Sequence, residues 1–168
     1  VYKTAIRNEK SILRFDGIVS NFSLALTRSS ENRTVFIVAG NMPTAGTIKY
    51  FFDSETGRFV LAQLGNTANT VQFYDGSWVG SAAATATFQC LTYRLASAGA
   101  EIYRNGASIA TGAHTNKAIG GSTRIGANYV PDGSCLSMDL CEMVIYNSAL
   151  STTDRQSVES YLTSKWAL

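Results

Sequence analysis

The stretch that decides the fold is Leu136-Ser-Met-Asp-Leu-Cys-Glu-Met-Val-Ile-Tyr146, then Asn147-Ser-Ala-Leu150, then Ser151-Thr-Thr-Asp-Arg-Gln-Ser-Val-Glu-Ser-Tyr-Leu-Thr-Ser-Lys-Trp166. The first run is long, apolar and nearly continuous. It predicts a strand buried on both faces, or crossed on one face by another element. The last run predicts a short helix. Ser151 is its cap, and Asp154 answers the free N–H groups and the positive end of the dipole. Val158, Tyr161, Leu162 and Trp166 fall on one stripe at helical spacing. A helix this short does not hold itself in water, so it must dock, and the preceding strand is the nearest apolar surface.

Working outward, turn signals divide the chain into many short strands. Residues 1–11 are polar and predict a leading arm. Ser11 to Phe15 reads as the first strand, turned by Asp16-Gly17; Phe22, Leu24 and Leu26 alternate with polar or small neighbours. Arg28 to Arg33 reads as a charged loop and Thr34 to Ala39 as an interior strand. Two strands flank Asp53-Ser-Glu-Thr-Gly57, whose two carboxylates read as a solvated hairpin tip. Val71, Phe73 and Tyr74 lead into Asp75-Gly76, and Trp78-Val79 lead out, a hairpin signal. Ala82 to Ala86 is a small-residue run suited to close backbone approach. Phe88 to Leu95 reads as a strand with Phe88, Cys90 and Leu91 inward. Asn105-Gly106 is the strongest hairpin cue, because both central residues of such a turn need positive φ. Pro131-Asp132-Gly133 marks another turn. Frequent strands without alternating helices argue for a sandwich.

The totals agree. The chain has 168 residues, of which 15% are charged, with 14 Gly and only two Pro. That length predicts one domain over residues 1–168 with a sizeable core. Low charge with many glycines suits tight turns between strands and argues against disorder. A net charge of +2 without a basic stripe argues against nucleic-acid binding. No apolar run reaches membrane-spanning length. The chain begins at Val1, and the expectation is a processed chain or an excised domain. Three cysteines, Cys90, Cys135 and Cys141, cannot all pair within one chain. They read as buried small hydrophobes, with a Cys135–Cys141 bridge left open.

Several motifs carry a resemblance. Arg124-Ile-Gly126, Leu140-Cys-Glu-Met-Val-Ile-Tyr-Asn147, Ala149-Leu-Ser151, Val158-Glu-Ser-Tyr-Leu162 and Lys165-Trp166 resemble the closing segment of laminin-G-like domains. These belong to the concanavalin A-like lectin/glucanase superfamily. Leu13-Arg-Phe-Asp-Gly17 resembles the opening strand, and Ile102-Tyr-Arg-Asn-Gly106 the late hairpin. The resemblance spans nearly the whole chain in the expected order. It implies an all-β, antiparallel jelly-roll sandwich with one short C-terminal helix, of a kind that binds or supports rather than catalyses.

Catalytic patterns are missing. Retaining glycoside hydrolysis needs two carboxylates about 5 Å apart. The nearest candidates, Asp139 and Glu142, are three apart on a strand and point to opposite faces unless a bulge intervenes. Glu142 is expected to cap a backbone group or accept from a Tyr or Arg. His114, the sole histidine, reads as a loop residue with no Gly-x-Ser-x-Gly elbow to serve. No cofactor is expected. The loop Asn128 to Asp132 offers hard ligands suited to Ca²⁺, but one Asp and one Asn are too few to assign a site.

For binding, the Tyr74-Asp75-Gly76-Ser77-Trp78 hairpin is the best candidate, since Tyr74 and Trp78 offer flat apolar faces and Asp75 a hydroxyl partner. Asn128, Tyr129 and Asp132 form a second candidate surface. Against this stands the plain alternative that the aromatics pack on the sandwich edge. The sequence therefore predicts a non-catalytic lectin-like or adhesion module, extracellular, on a cell surface or on a virion. Its expected partners are glycan or protein surface ligands. The alternative is a structural accessory of a virion, such as a capsid decoration, fibre or tail domain, that contacts neighbouring subunits. A hydrolase is the least favoured reading.

Overall fold

A computed structural model describes residues 1–28, 32–43, 46–56, 60–64, 70–74, 76, 78–114, 118–130 and 134–168, with only the backbone at residues 62–64 and 81. The elements are β1 (Tyr2–Arg7), β2 (Lys10–Asp16), β3 (Phe22–Leu24), β4 (Arg33–Gly40), β5 (Lys49–Ser54), β6 (Val60–Leu64) and β7 (Thr70–Tyr74). They continue with β8 (Trp78–Ala83), β9 (Gln89–Ala96), β10 (Gly99–Arg104), β11 (Ala107–Gly112), β12 (Thr123–Ile125), β13 (Ser137–Tyr146) and α1 (Thr152–Trp166).

Two antiparallel sheets face each other. One has seven strands in the order β1-β2-β13-β4-β9-β10-β11; the other has six in the order β3-β12-β5-β6-β7-β8. Sequence neighbours are often not spatial neighbours, the crossed connectivity of a jelly-roll sandwich. The sandwich core takes Phe15, Val35, Ile37, Leu91, Tyr93 and Leu95 from the seven-stranded sheet and Phe52, Leu61, Val71 and Phe73 from the other. β4 is buried at every position, as a central strand between two covered faces must be.

The helix covers the outer face of the seven-stranded sheet. Leu162 and Trp166 meet Ile12, Phe36, Val38 and Cys90 there. Its start is as expected: Ser151 Oγ accepts from Asp154 N at 3.1 Å and donates to Asp154 Oδ2 at 2.7 Å. Its buried stripe differs. It runs Arg155, Glu159, Leu162, Trp166, while Tyr161 is exposed. The buried half nearest the N-terminus is an ion pair between Arg155 Nη1 and Glu159 Oε2, and Thr92 Oγ1 donates to Glu159 Oε1 at 2.7 Å. Arg155 also lies over the Tyr103 ring at 3.7 Å. A buried charge of either sign needs such partners, and an apolar pattern alone does not reveal them.

Other expectations are corrected by packing. The leading residues form edge strand β1, paired to β2, rather than an arm. Arg33 is buried in β4 rather than in a loop. On β9, Leu91, Tyr93 and Leu95 enter the core, whereas Cys90 faces the helix. Phe88 lies against Gly40 and beneath Arg7, outside the core. The start of the Ala82 to Ala86 run closes β8 and pairs with the β7 backbone, and the two sheets also approach closely at Gly80 and Gly112. The Asn105-Gly106 hairpin forms as predicted, with φ of 49° and 82°. None of the three cysteines is in a disulfide. Cys135 bridges Tyr50 of the six-stranded sheet, and Cys141 lies on β13 of the other, so these two do not pair. Among the described residues, no helix is long and apolar enough to cross a membrane. Gly57, residues 65–69 and the Pro131-Asp132-Gly133 turn lie outside the described residues.

Candidate functional site

The face of the six-stranded sheet that points away from the core carries the candidate site. Alternation along each strand sends one side chain in and the next out. Register then aligns the outward ones in a single row. Ser23 pairs with Arg124, Arg124 with Asp53, Asp53 with Val60, Val60 with Tyr74, and Tyr74 with Trp78. The row therefore crosses all six strands.

At one end the row is open. The Tyr74 and Trp78 rings sit with centroids 5.1 Å apart and planes 58° apart, and Trp78 is 43% exposed. Toward the middle it is sealed: Val60 and Asp53 are each 0% exposed. Tyr50, Ile48 and Tyr74 pack around Val60 in a small apolar cluster on this outer face. Asp53 is covered by the chain that follows β12. The chain leaves the sheet at Gly126, whose φ is +82° and where a Cβ would come 2.5 Å from Phe15 Cδ1. Only glycine fits that turn. The chain then crosses outside β5, and Tyr129 N donates to Asp53 Oδ2 at 3.1 Å. Asn128 Oδ1 accepts from Val130 N at 3.2 Å, which tightens the crossing. Arg124 ties it down, donating from Nε to the Tyr129 carbonyl at 3.1 Å and from Nη1 to Asn21 Oδ1 at 2.5 Å. The segment returns at Leu136, whose N–H reaches the Gly126 carbonyl at 2.8 Å.

Both sequence-predicted surfaces thus meet on one face. Tyr74 and Trp78 form its open floor, and Asn128 and Tyr129 its covered side. Asp75 and Asp132 lie outside the described residues. Sequence reasoning missed Asp53 and Arg124. Asp53 was expected at a solvated tip beside Glu55, but it is the penultimate residue of β5 and fully buried. A bulge between Tyr50 and Phe52 sends both Phe51 and Phe52 to the core and turns Asp53 outward. Glu55 alone stays at the surface, accepting from Ser122 N at 3.0 Å.

The groups that most resemble catalytic machinery are spoken for. A bulge between Leu140 and Glu142 does intervene, so Asp139 and Glu142 share the outer face of the seven-stranded sheet rather than opposing ones. Asp139 accepts from Arg14 Nε and Nη2 and from Asn41 Nδ2, each at 2.6 Å. Burial opposes its charge, but these hydrogen bonds outweigh it and hold its pKa below the usual carboxylate range. Glu142 accepts from Trp166 Nε1 at 2.7 Å and Lys165 Nζ at 2.8 Å, donors different from the expected Tyr or Arg. Burial pushes the Cys90 and Cys141 thiols up to about 12, away from nucleophilic thiolates. His114 is half-buried against the Ala96 carbonyl. Among the described residues, no group of three or more His, Cys, Asp or Glu is placed to hold a metal ion.

No protein-family model matches the sequence, and no curated protein matches it significantly. Solved structures do match. Domain 4 of AbnA, a GH43 extracellular arabinanase from Geobacillus stearothermophilus solved with arabinotriose, superposes with a TM-score of 0.72 at 17% identity. That match covers 95% of this chain and 81% of that one. The CBM40 of the Ruminococcus gnavus IT-sialidase, solved bound to α2,3 sialyllactose, gives 0.65 at 14%, covering 94% and 100%. The heptameric SAP-like pentraxin of Limulus polyphemus gives 0.64 at 16%, covering 86% and 77%. At such identities the likeness is one of fold, and it agrees with a concanavalin A-like sandwich. The laminin-G-like affiliation rests on the sequence motifs alone.

Proposed function

We propose that this domain is a non-catalytic recognition module that binds glycan chains on the outer face of its six-stranded sheet, and that it acts outside the cell. The observation that carries this reading is the exposed Trp78 ring set against the half-buried Tyr74 ring on the outer sheet face, beside the sealed positions Val60 and Asp53. Flat rings beside polar groups suit the apolar faces and hydroxyls of a sugar. An exposed tryptophan on a strand is not explained by core packing. Two of the matching folds were solved with oligosaccharides, arabinotriose and α2,3 sialyllactose, which supports the reading.

The test is a glycan array followed by calorimetry on the hits. Trp78→Ala is expected to weaken binding roughly tenfold or more, about 1.4 kcal/mol, with an unchanged melting temperature. Array binding that survives in a folded Trp78→Ala variant would remove this face as the site. A wild-type domain that binds no glycan but self-associates in sedimentation would turn the assignment to an assembly role.

A further inference from the structure

The row across the six-stranded sheet is open at its β8 end and sealed in its middle, before the exposed Ser23 at the β3 end. Trp78 is 43% exposed and Tyr74 half-buried, whereas Val60 and Asp53, the next two positions, are sealed at 0%. Over Val60 the closure is the apolar cluster of Tyr50, Ile48 and Tyr74; over Asp53 it is a loop crossing. Tyr129 N sits 3.1 Å from Asp53 Oδ2, so backbone stands one side chain above the sheet at β5. Arg124 clamps the crossing from below, through the Tyr129 carbonyl and Asn21.

Direction matters. Tyr74 and Trp78 are a cross-strand pair, so the line between their rings runs across the strands. A ligand chain that uses both rings must lie along that line. Followed away from the β8 edge, the line meets the Asn128–Val130 crossing over β5, two strands beyond Tyr74. Two strand spacings amount to about 10 Å, room for about two sugar units before the obstruction.

We infer that the Tyr74–Trp78 floor is a blind-ended subsite that takes the terminal unit of a linear glycan, with Asp53 as the residue that positions its end wall. The inference rests on the glycan-binding reading above. Internal segments of a long chain cannot lie across both rings without running into the wall. Chain ends can.

The experiment uses calorimetry on the intact domain. Probes are arabinotriose, cellotriose, laminaritriose and mannotriose, each beside a soluble long polymer of the same linkage. For any trimer that binds, the polymer is expected to bind with one site per chain and about the trimer's affinity. Asp53→Ala, which frees the Tyr129 N–H, is expected to gain polymer sites in proportion to repeats. Asp53→Asn keeps an oxygen for that N–H and is expected to restore one site per chain. Wild-type binding that scales with the number of repeats would overturn the end-reading inference while leaving the glycan reading intact. Absence of binding to every trimer and polymer, together with an empty array, would overturn both. Should Asp53→Ala fail to fold, the wild-type stoichiometry still decides.

Discussion

At the scale of single residues, two carboxylates tie the chain's conformation to pH. Asp16 accepts through Oδ1 from the N–H groups of Ile18, Val19 and Ser20 at 2.8, 3.0 and 2.9 Å, and these hold its pKa well below the usual range. Asp139 is depressed as well, by the Arg14 and Asn41 hydrogen bonds that outweigh its burial. A depressed carboxylate contributes stability that is complete above its unfolded pKa, near 3.9, and is lost as pH falls through the folded value. Stability should therefore be flat from neutral pH down to about 5 and decline below about 4. Asp139→Asn should lower stability at pH 7 and flatten that decline, as read by urea titration at several pH values. An unchanged acid slope in Asp139→Asn would show that this cluster carries none of it. Asp16 and Asp139 stand as ordinary acids in the sequence. Asp16 meets the N–H groups of its own turn, whereas the partners of Asp139 come from β2 and from Asn41 after β4, so only the folded chain reveals what that charge meets.

At the scale of elements, the C-terminal helix shows what sequence patterning does and does not convey. Its cap and its need to dock are legible from Ser151 and Asp154, and from Leu162 and Trp166. Its polar anchor is not. Leu162→Ala and Trp166→Ala should each cost about 2–5 kcal/mol, through lost burial and the cavity left behind. Trp166→Ala also removes the indole donor to Glu142 and leaves that carboxylate to Lys165 alone among the donors described above. Glu159→Ala should cost about 3–5 kcal/mol, because it leaves the buried Arg155 guanidinium without its carboxylate. Replacing both members by apolar residues should recover part of that loss. Chemical denaturation of the three single variants and the double checks these, and a double variant no better than Glu159→Ala would refute the ion-pair account. The helix's far end is held from the opposite terminus: Arg7 Nε donates to the Trp166 carbonyl at 2.7 Å and Asn8 Nδ2 to that of Lys165 at 2.9 Å. A cation there also meets the negative end of the helix dipole. Residues 1–11 look like a polar arm because their work is done on another element.

At the scale of the whole molecule, the two sheets come closest where β8 meets β10 and β11. A Cβ on Gly112 would lie 2.5 Å from Val79 Cγ1, and one on Gly80 would lie 2.6 Å from Ile102 Cδ1. Gly112→Ala should destabilise by about 1–3 kcal/mol through overpacking, and Val79→Ala in the same chain should recover part of it. Melting temperatures of the two singles and the double decide this, and strictly additive losses would exclude a steric contact between the sheets. The same sheet whose inner face closes that seam carries the Tyr74–Trp78 floor on its outer face.

Sequence alone determined the fold class, many short strands packed as a sandwich with one C-terminal helix, because strand periodicity, turn residues and helix caps are local signals that act within a few positions of the chain. It also singled out Tyr74, Trp78, Asn128 and Tyr129, since aromatic and amide side chains beside turns are visible without coordinates. Only the tertiary structure decided that these residues share one face, that Asp53 and Arg124 join them, and that the floor is closed on one side. The reason is register. Bulges at Phe51 and near Cys141 shift which side chains face outward, and long-range pairing brings β12 beside β5 from 71 residues away in number (Asp53 to Arg124). No local pattern encodes such a meeting, because its energy is realised only when both strands are already in place.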